Sequence, residues 1–187
     1  MIKWFYKYGA VIFLFNTILL SIANTFSAGN IIFYSLMGMF LFLILINPNQ
    51  VKYILFHKAF SFLLIINILN VIYFLLFHSI SDFNAIKYLM ARGIQFSIIS
   101  LSIFHNYNYF KELFLTHLIY TILGVVVLGL IINPFIFSGR YSGIIWNANM
   151  LSSFSCIAFA ALFLNNKKKT NFEIGLLFLF LIISLLT

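Results

Sequence analysis

Ala59 to Phe77 reads A-F-S-F-L-L-I-I-N-I-L-N-V-I-Y-F-L-L-F, a run with no charge and only Ser61, Asn67, Asn70 and Tyr73 as polar interruptions. A bilayer core of ~30 Å is crossed by roughly 20 apolar residues of α-helix, so this stretch has the length and composition of one span. It shows no alternation of apolar and polar residues, which argues against a membrane β-barrel. Inside lipid, a helix satisfies every backbone group within the segment itself.

Working outward, further apolar runs lie near Ala10 to Phe26, Ile31 to Ile46, Ala85 to Phe104, Leu113 to Ile132, Ile144 to Leu164 and Phe172 to Leu186. The reading predicts an all-α, polytopic transmembrane helix bundle of about seven spans, forming a single helical domain over residues 1–187. Turn chemistry separates the runs at Ser27-Ala28-Gly29-Asn30, Asn47-Pro48-Asn49, Ser79 to Asn84, Asn106-Tyr107-Asn108, Asn133-Pro134 and Asn165-Asn166. Lys3 and Lys7 ahead of an apolar run imitate a secretory signal. Because apolar segments continue along the whole chain, an uncleaved first span is the better reading.

Of the 187 residues, 64% are hydrophobic and 7% charged, and the mean hydropathy is +1.10. These values lie outside the soluble range. The formal net charge of +8 reads first as a statement of orientation and gives no reason to expect a nucleic-acid partner. With the N-terminus in the cytoplasm, Lys3, Lys7, Lys52, Lys58, Lys111 and Lys167-Lys168-Lys169 all fall inside, and the outer loops keep only Asp82 and Arg140. The expected location is the bacterial inner (cytoplasmic) membrane, as a multi-pass protein among membrane lipids. The single cysteine, Cys156, permits no internal disulfide. Ser152, Cys156 and Ala160 recur every fourth residue, which suggests a small-residue packing stripe.

The two arginines break the sidedness pattern. Arg140 falls in an outer loop, and Arg92 about two turns into the fourth span. An arginine inside a span costs at least ~2.5 kcal/mol unless it snorkels or meets an anion. Lys87, nearer the outer surface, is expected to share a cavity with Arg92. Pairing of Arg92 with Asp82, or snorkelling to headgroups, is the ordinary alternative. Around Arg140 the chain reads R-Y-S-G-I-I-W-N-A-N. Gly143 allows an unusual torsion or close approach, Asn147 and Asn149 place amides in the first turn of the sixth span, and free helix N–H groups beside an arginine suit an anion. Capping alone would also account for the asparagines. His78 and Asp82 are a base and carboxylate four residues apart, equally well explained as an interfacial histidine and a helix cap. Asn16, Asn67, Asn70 and Gln95 are amides that could bond between helices.

The string Arg140, Ser142, Gly143, Asn147 and Asn149, opening an apolar span after an outer loop, resembles the R-x-[ST]-G…N-x-N signature of the O-antigen ligase and O-antigen polymerase-like membrane protein family. Ala148 stands where that signature commonly has proline. The resemblance implies surface polysaccharide biosynthesis by a glycosyltransferase, in which a glycan on an undecaprenyl pyrophosphate carrier passes to an acceptor glycan or lipid at the outer leaflet. It assigns Arg140 to the carrier pyrophosphate, with Ser142, Gly143, Asn147 and Asn149 of the same motif as lipid-pyrophosphate or substrate-binding candidates. Position adds Arg92 and Lys87 to that set.

Family members are longer and carry a histidine-bearing outer loop in their second half. The expectation is therefore that this chain is the N-terminal part of a longer protein, either a fragment or a truncated reading frame, inactive alone, with no catalytic residue of its own to name. No Walker loop, dinucleotide fingerprint or metal-ligand spacing occurs, so no cofactor or metal is expected. Ligation and polymerisation stay open. The alternatives are a transporter or flippase fragment for an anionic substrate, or a non-catalytic membrane protein.

Overall fold

The computed structural model describes residues 2–78, 82–134, 139–164 and 169–187. The expected turn residues Ser79 to Ser81, Asn165 and Asn166, and also Lys167 and Lys168, lie outside them. The described residues form α-helices α1 (Ile2–Leu19), α2 (Phe26–Ile46), α3 (Pro48–Leu55), α4 (Ser61–Phe77), α5 (Phe83–His105), α6 (Tyr107–Glu112), α7 (Phe114–Ile132), α8 (Ala148–Leu164) and α9 (Asn171–Leu186). No strand occurs among them, only an isolated antiparallel bridge between Ile22 and Ile145. The all-α prediction holds.

Among the described residues, three helical stretches are long and apolar enough to cross a membrane: Ala23–Ile46, Lys58–Phe77 and Phe114–Ile132. The remaining expected spans fall short for two physical reasons. The lysines, tyrosines and tryptophan in the first turns of α1 dilute its hydropathy, as Lys87 and Arg92 dilute that of α5. Helices α8 and α9 are apolar but only 17 and 16 residues long, or ~25 Å at ~1.5 Å per residue.

The first break differs from the expected one. Helix α1 stops at Leu19, whereas Ser27 to Asn30 are helical. Local side-chain bonds divert the chain at Leu20 to Thr25: Ser21 Oγ donates to the Thr17 carbonyl at 2.7 Å, and Thr25 Oγ1 to the Leu19 carbonyl at 2.8 Å. Gly29 serves close approach rather than a turn, since a Cβ there would meet Leu20 at 3.0–3.2 Å. Two short helices, α3 and α6, occupy what had read as loops. In α3, Val51 and Ile54 are buried while Lys52 and Tyr53 are exposed, an amphipathic arrangement too short to stand out in a sequence.

The chain forms two compact units, Met1–Asn16 with Asn30–Tyr107, and Thr17–Gly29 with Asn108–Thr187. In the first, α1 meets α5 where the Ala10 N–H donates to Ser102 Oγ at 2.9 Å in a buried position, and Asn106 Nδ2 donates to the Lys7 carbonyl at 3.1 Å. Helix α4 lies against α5 with Phe74 as its buried residue. In the second unit, α8 packs on both α7 and α9. Its buried face is Leu151, Ser155, Ala158, Ala161 and Leu162, opposite Leu176, Phe180 and Ile183 of α9. The expected stripe of Ser152, Cys156 and Ala160 lies one residue off this face: Cys156 and Ala160 are exposed, although Ser152 Oγ donates to the Ser184 carbonyl at 3.2 Å.

Candidate functional site

In the second unit the stretch from Arg140 to Trp146 is an extended strap, pinned at each step. The Tyr141 N–H donates to the Leu186 carbonyl at 3.0 Å, tying the strap to the end of α9. Ser142 accepts from the Ile145 N–H at 3.0 Å across a tight turn, and Gly143 within it has φ +59°. That torsion favours glycine. Gly143 also abuts Gly129 of α7, since a Cβ on either would sit 3.2 Å from the Cα of the other. The Ile145 bridge to Ile22 and the Trp146 N–H bond to the Ser21 carbonyl at 2.9 Å fasten the strap to the α1–α2 break. Trp146 stacks on Phe26, with ring centroids 5.5 Å apart.

Because Ile145 and Trp146 are held extended, the next helix starts at Ala148, not Ile144 as expected. Asn147 is its cap: its Oδ1 accepts from the Asn149 N–H at 2.8 Å and its carbonyl from Met150 and Leu151 at 3.0 and 3.3 Å. The expectation of free N–H groups in this first turn is therefore corrected, since Asn147 already occupies those of Asn149, Met150 and Leu151.

Arg140 is exposed and fixed at two points. Its Nε donates to the Thr187 main-chain oxygen at 2.7 Å, and its Nη2 to Asn149 Oδ1. A guanidinium has five N–H donors in a rigid fork, so the others face no protein acceptor among the described residues. Both asparagine oxygens are consumed within the cluster, Asn147 Oδ1 by the Asn149 backbone and Asn149 Oδ1 by Arg140. This turns both amide NH2 groups into the available ends. Arg140, Asn147 and Asn149 thus present donors, with the Ser142 hydroxyl in the same strap.

Tyr141, overlooked as a functional position in the sequence, is the strap's anchor. It is buried, and its hydroxyl lies 3.4 Å from where a Cβ would sit on Gly129 or on Gly143. Burial pushes its phenol above the ordinary range. Asn133, which had read only as a helix end, has its Nδ2 3.5 Å from the Gly143 carbonyl.

Arg92 and Lys87 belong to the first unit. Arg92 lines a cavity of about 410 Å³ between α4 and α5, together with Asn70, His78, Asp82 and Tyr88. Lys87 is exposed and does not line it. Five residues of helix turn the two cations ~140° apart, which corrects the expected shared cavity. Nor does Arg92 pair with Asp82. Its Nε donates to Tyr88 Oη at 2.9 Å, Nη2 donates to the same oxygen, and Nη1 lies 3.4 Å from Gln95 Oε1. Its guanidinium also lies over the Tyr88 ring, 4.9 Å from the centroid.

Asp82 instead caps α5, accepting from the Ala85 N–H at 3.1 Å, and lies 3.4 Å from His78 Nδ1. The Ala85 N–H, aided by the His78 side chain, holds the Asp82 carboxyl below its ordinary range. Asn67 bonds back to the Leu63 carbonyl of its own helix at 3.1 Å and Gln95 meets Arg92 of its own helix, so neither makes the cross-helix bond entertained for it. No cluster of metal-ligating side chains occurs among the described residues.

Fold and composition define a protein that, among the described residues, is all-helical with three helices long and apolar enough to cross a bilayer, carrying a pinned, donor-rich strap. No protein-family model, curated protein or solved structure matches the chain.

Proposed function

We propose that this chain is a multi-pass protein of a bacterial cytoplasmic membrane, with about seven spans and a cytoplasmic N-terminus, that works in surface polysaccharide assembly. The reaction is transfer or polymerisation of glycan from an undecaprenyl pyrophosphate-linked donor to an acceptor glycan or lipid at the outer leaflet. The observation that carries the reading is the donor cluster on the strap. Arg140 is oriented by Asn149 and Thr187, and both asparagine amides are turned donor-outward by bonds to their own oxygens.

A pyrophosphate is an acceptor-only ligand, and a guanidinium meets two of its oxygens at once. Charge builds on that group as the glycosyl bond breaks, so prepositioned donors stabilise the leaving carrier. The positive end of α8 adds to the same field. The strap is assigned carrier binding, and no catalytic base is assigned.

The test is binding of undecaprenyl pyrophosphate to the protein in nanodiscs. Arg140→Ala removes the fork and is expected to weaken binding by about tenfold or more. Asn149→Asp keeps an acceptor for Arg140 but replaces an amide donor with negative charge, and is expected to weaken binding as well. Unchanged affinity in both variants contradicts the proposal.

A further inference from the structure

The seam between α4 and α5 is incompletely closed. Phe74 is the buried residue of α4, and two cavities open along the same seam. The first, of about 410 Å³, has polar groups on its wall: Arg92, Tyr88 and Asn70, with His78 and Asp82 at the helix ends. The second, of about 300 Å³, is lined mainly by apolar groups such as Phe60, Leu63, Leu64, Val71 and Phe96. Leu89 lines both, so the two are neighbours along the seam. Gly93 keeps the second cavity open, since a Cβ there would have only Asn67 Oδ1, at 4.0 Å, as a neighbour.

Arg92 is the group the fold leaves unbalanced. Its bonds go to the neutral Tyr88 and Gln95, and Asp82, the carboxylate on that wall, is committed to Ala85 and His78. A helical side chain leans toward its own N-terminus, which carries the guanidinium toward Tyr88 and the Asp82 end of the cavity. With α5 placed in a bilayer, a cation two turns into the helix calls for an anion. A largely apolar chamber walled by a guanidinium with no carboxylate partner, next to a second apolar cavity, suits an amphiphile with an anionic phosphate head.

We propose that this seam binds an anionic phospholipid of the surrounding bilayer, with the phosphodiester on Arg92 and one acyl chain along the seam toward Phe60. Tyr88 positions the guanidinium by bonding Nε and Nη2 and Gln95 meets Nη1, which leaves one hydrogen on each Nη for the phosphate. The site requires that α4 and α5 lie in a bilayer. It does not depend on the glycan chemistry proposed for the strap.

Native mass spectrometry of the detergent-solubilised full chain, titrated with dioleoylphosphatidylglycerol, tests this directly. The wild type is expected to bind it about tenfold more tightly than dioleoylphosphatidylcholine. Arg92→Gln abolishes that preference, while Gly93→Leu fills the second cavity with the guanidinium intact and weakens phosphatidylglycerol binding by a similar factor. Equal binding of the two lipids by the wild type overturns the proposal, as does binding indifferent to both seam variants. Displacement of the lipid by millimolar inorganic phosphate also overturns it, because the seam would then hold a free anion.

Discussion

Gly143 carries two constraints at once, a torsion of φ +59° and backbone contact with Gly129. Gly143→Ala therefore strains the strap and pushes it off α7, and should cost about 1–3 kcal/mol. Gly38 of α2 has nothing within 4 Å of an added Cβ, so Gly38→Ala is expected to be neutral or mildly stabilising. Thermal unfolding in detergent separates the two. Asp82 gives a pH signature. Its carboxyl titrates below the ordinary value because the charged form accepts the Ala85 N–H. The stabilisation is thus present above the ordinary value and disappears as pH falls through the lowered one. Asp82→Ala should melt earlier than wild type at pH 6, and the gap should narrow below pH ~3.8. A gap that does not narrow however far the pH is lowered would show that the cap works without its charge.

At the scale of elements, the long apolar runs were legible because composition alone marks them. The edges followed from details that composition does not show. The start of α8 moved from Ile144 to Ala148 because Ile145 and Trp146 bond to Ser21 and Ile22, more than a hundred residues away in the chain. Such pairing leaves no local signature. The capping box of α9, with Thr170 accepting from the Glu173 N–H and Glu173 from the Thr170 N–H, is a local T-N-F-E pattern that was not picked out in the sequence. Of the candidate site, the residues from Arg140 to Asn149 were legible as a polar island, and Gly143 as a special torsion. The use of both asparagine oxygens within the cluster was not, because it depends on where the helix starts. The small-residue stripe was misplaced by one position because period alone does not say which of two adjacent faces meets a partner. Ala158, fully buried, and Ala160, exposed, test the revised face of α8. Ala158→Leu should destabilise by about 1–3 kcal/mol through overpacking, and Ala160→Leu by less than about 0.5 kcal/mol. Comparable melting temperatures for the two would return the packed face to the original stripe.

For the whole molecule, the proposed topology rests on the charge pattern. Lys52 lies on the short amphipathic α3, Lys111 on α6, and Lys3 and Lys7 in the first turns of α1. In the proposed arrangement all of these face the cytoplasm and the strap faces the exterior, where a lipid-linked glycan is handled. That sidedness is the central claim, because a carrier pyrophosphate presented at the outer leaflet cannot reach a strap on the inner side. The single cysteine makes it directly measurable. In a Cys156→Ser background, Ser142→Cys and Lys52→Cys are each exposed to a membrane-impermeant maleimide in intact spheroplasts and again after permeabilisation. The account predicts that Ser142→Cys labels in intact spheroplasts and Lys52→Cys only once the membrane is opened. Labelling of Lys52→Cys alone before permeabilisation would contradict it.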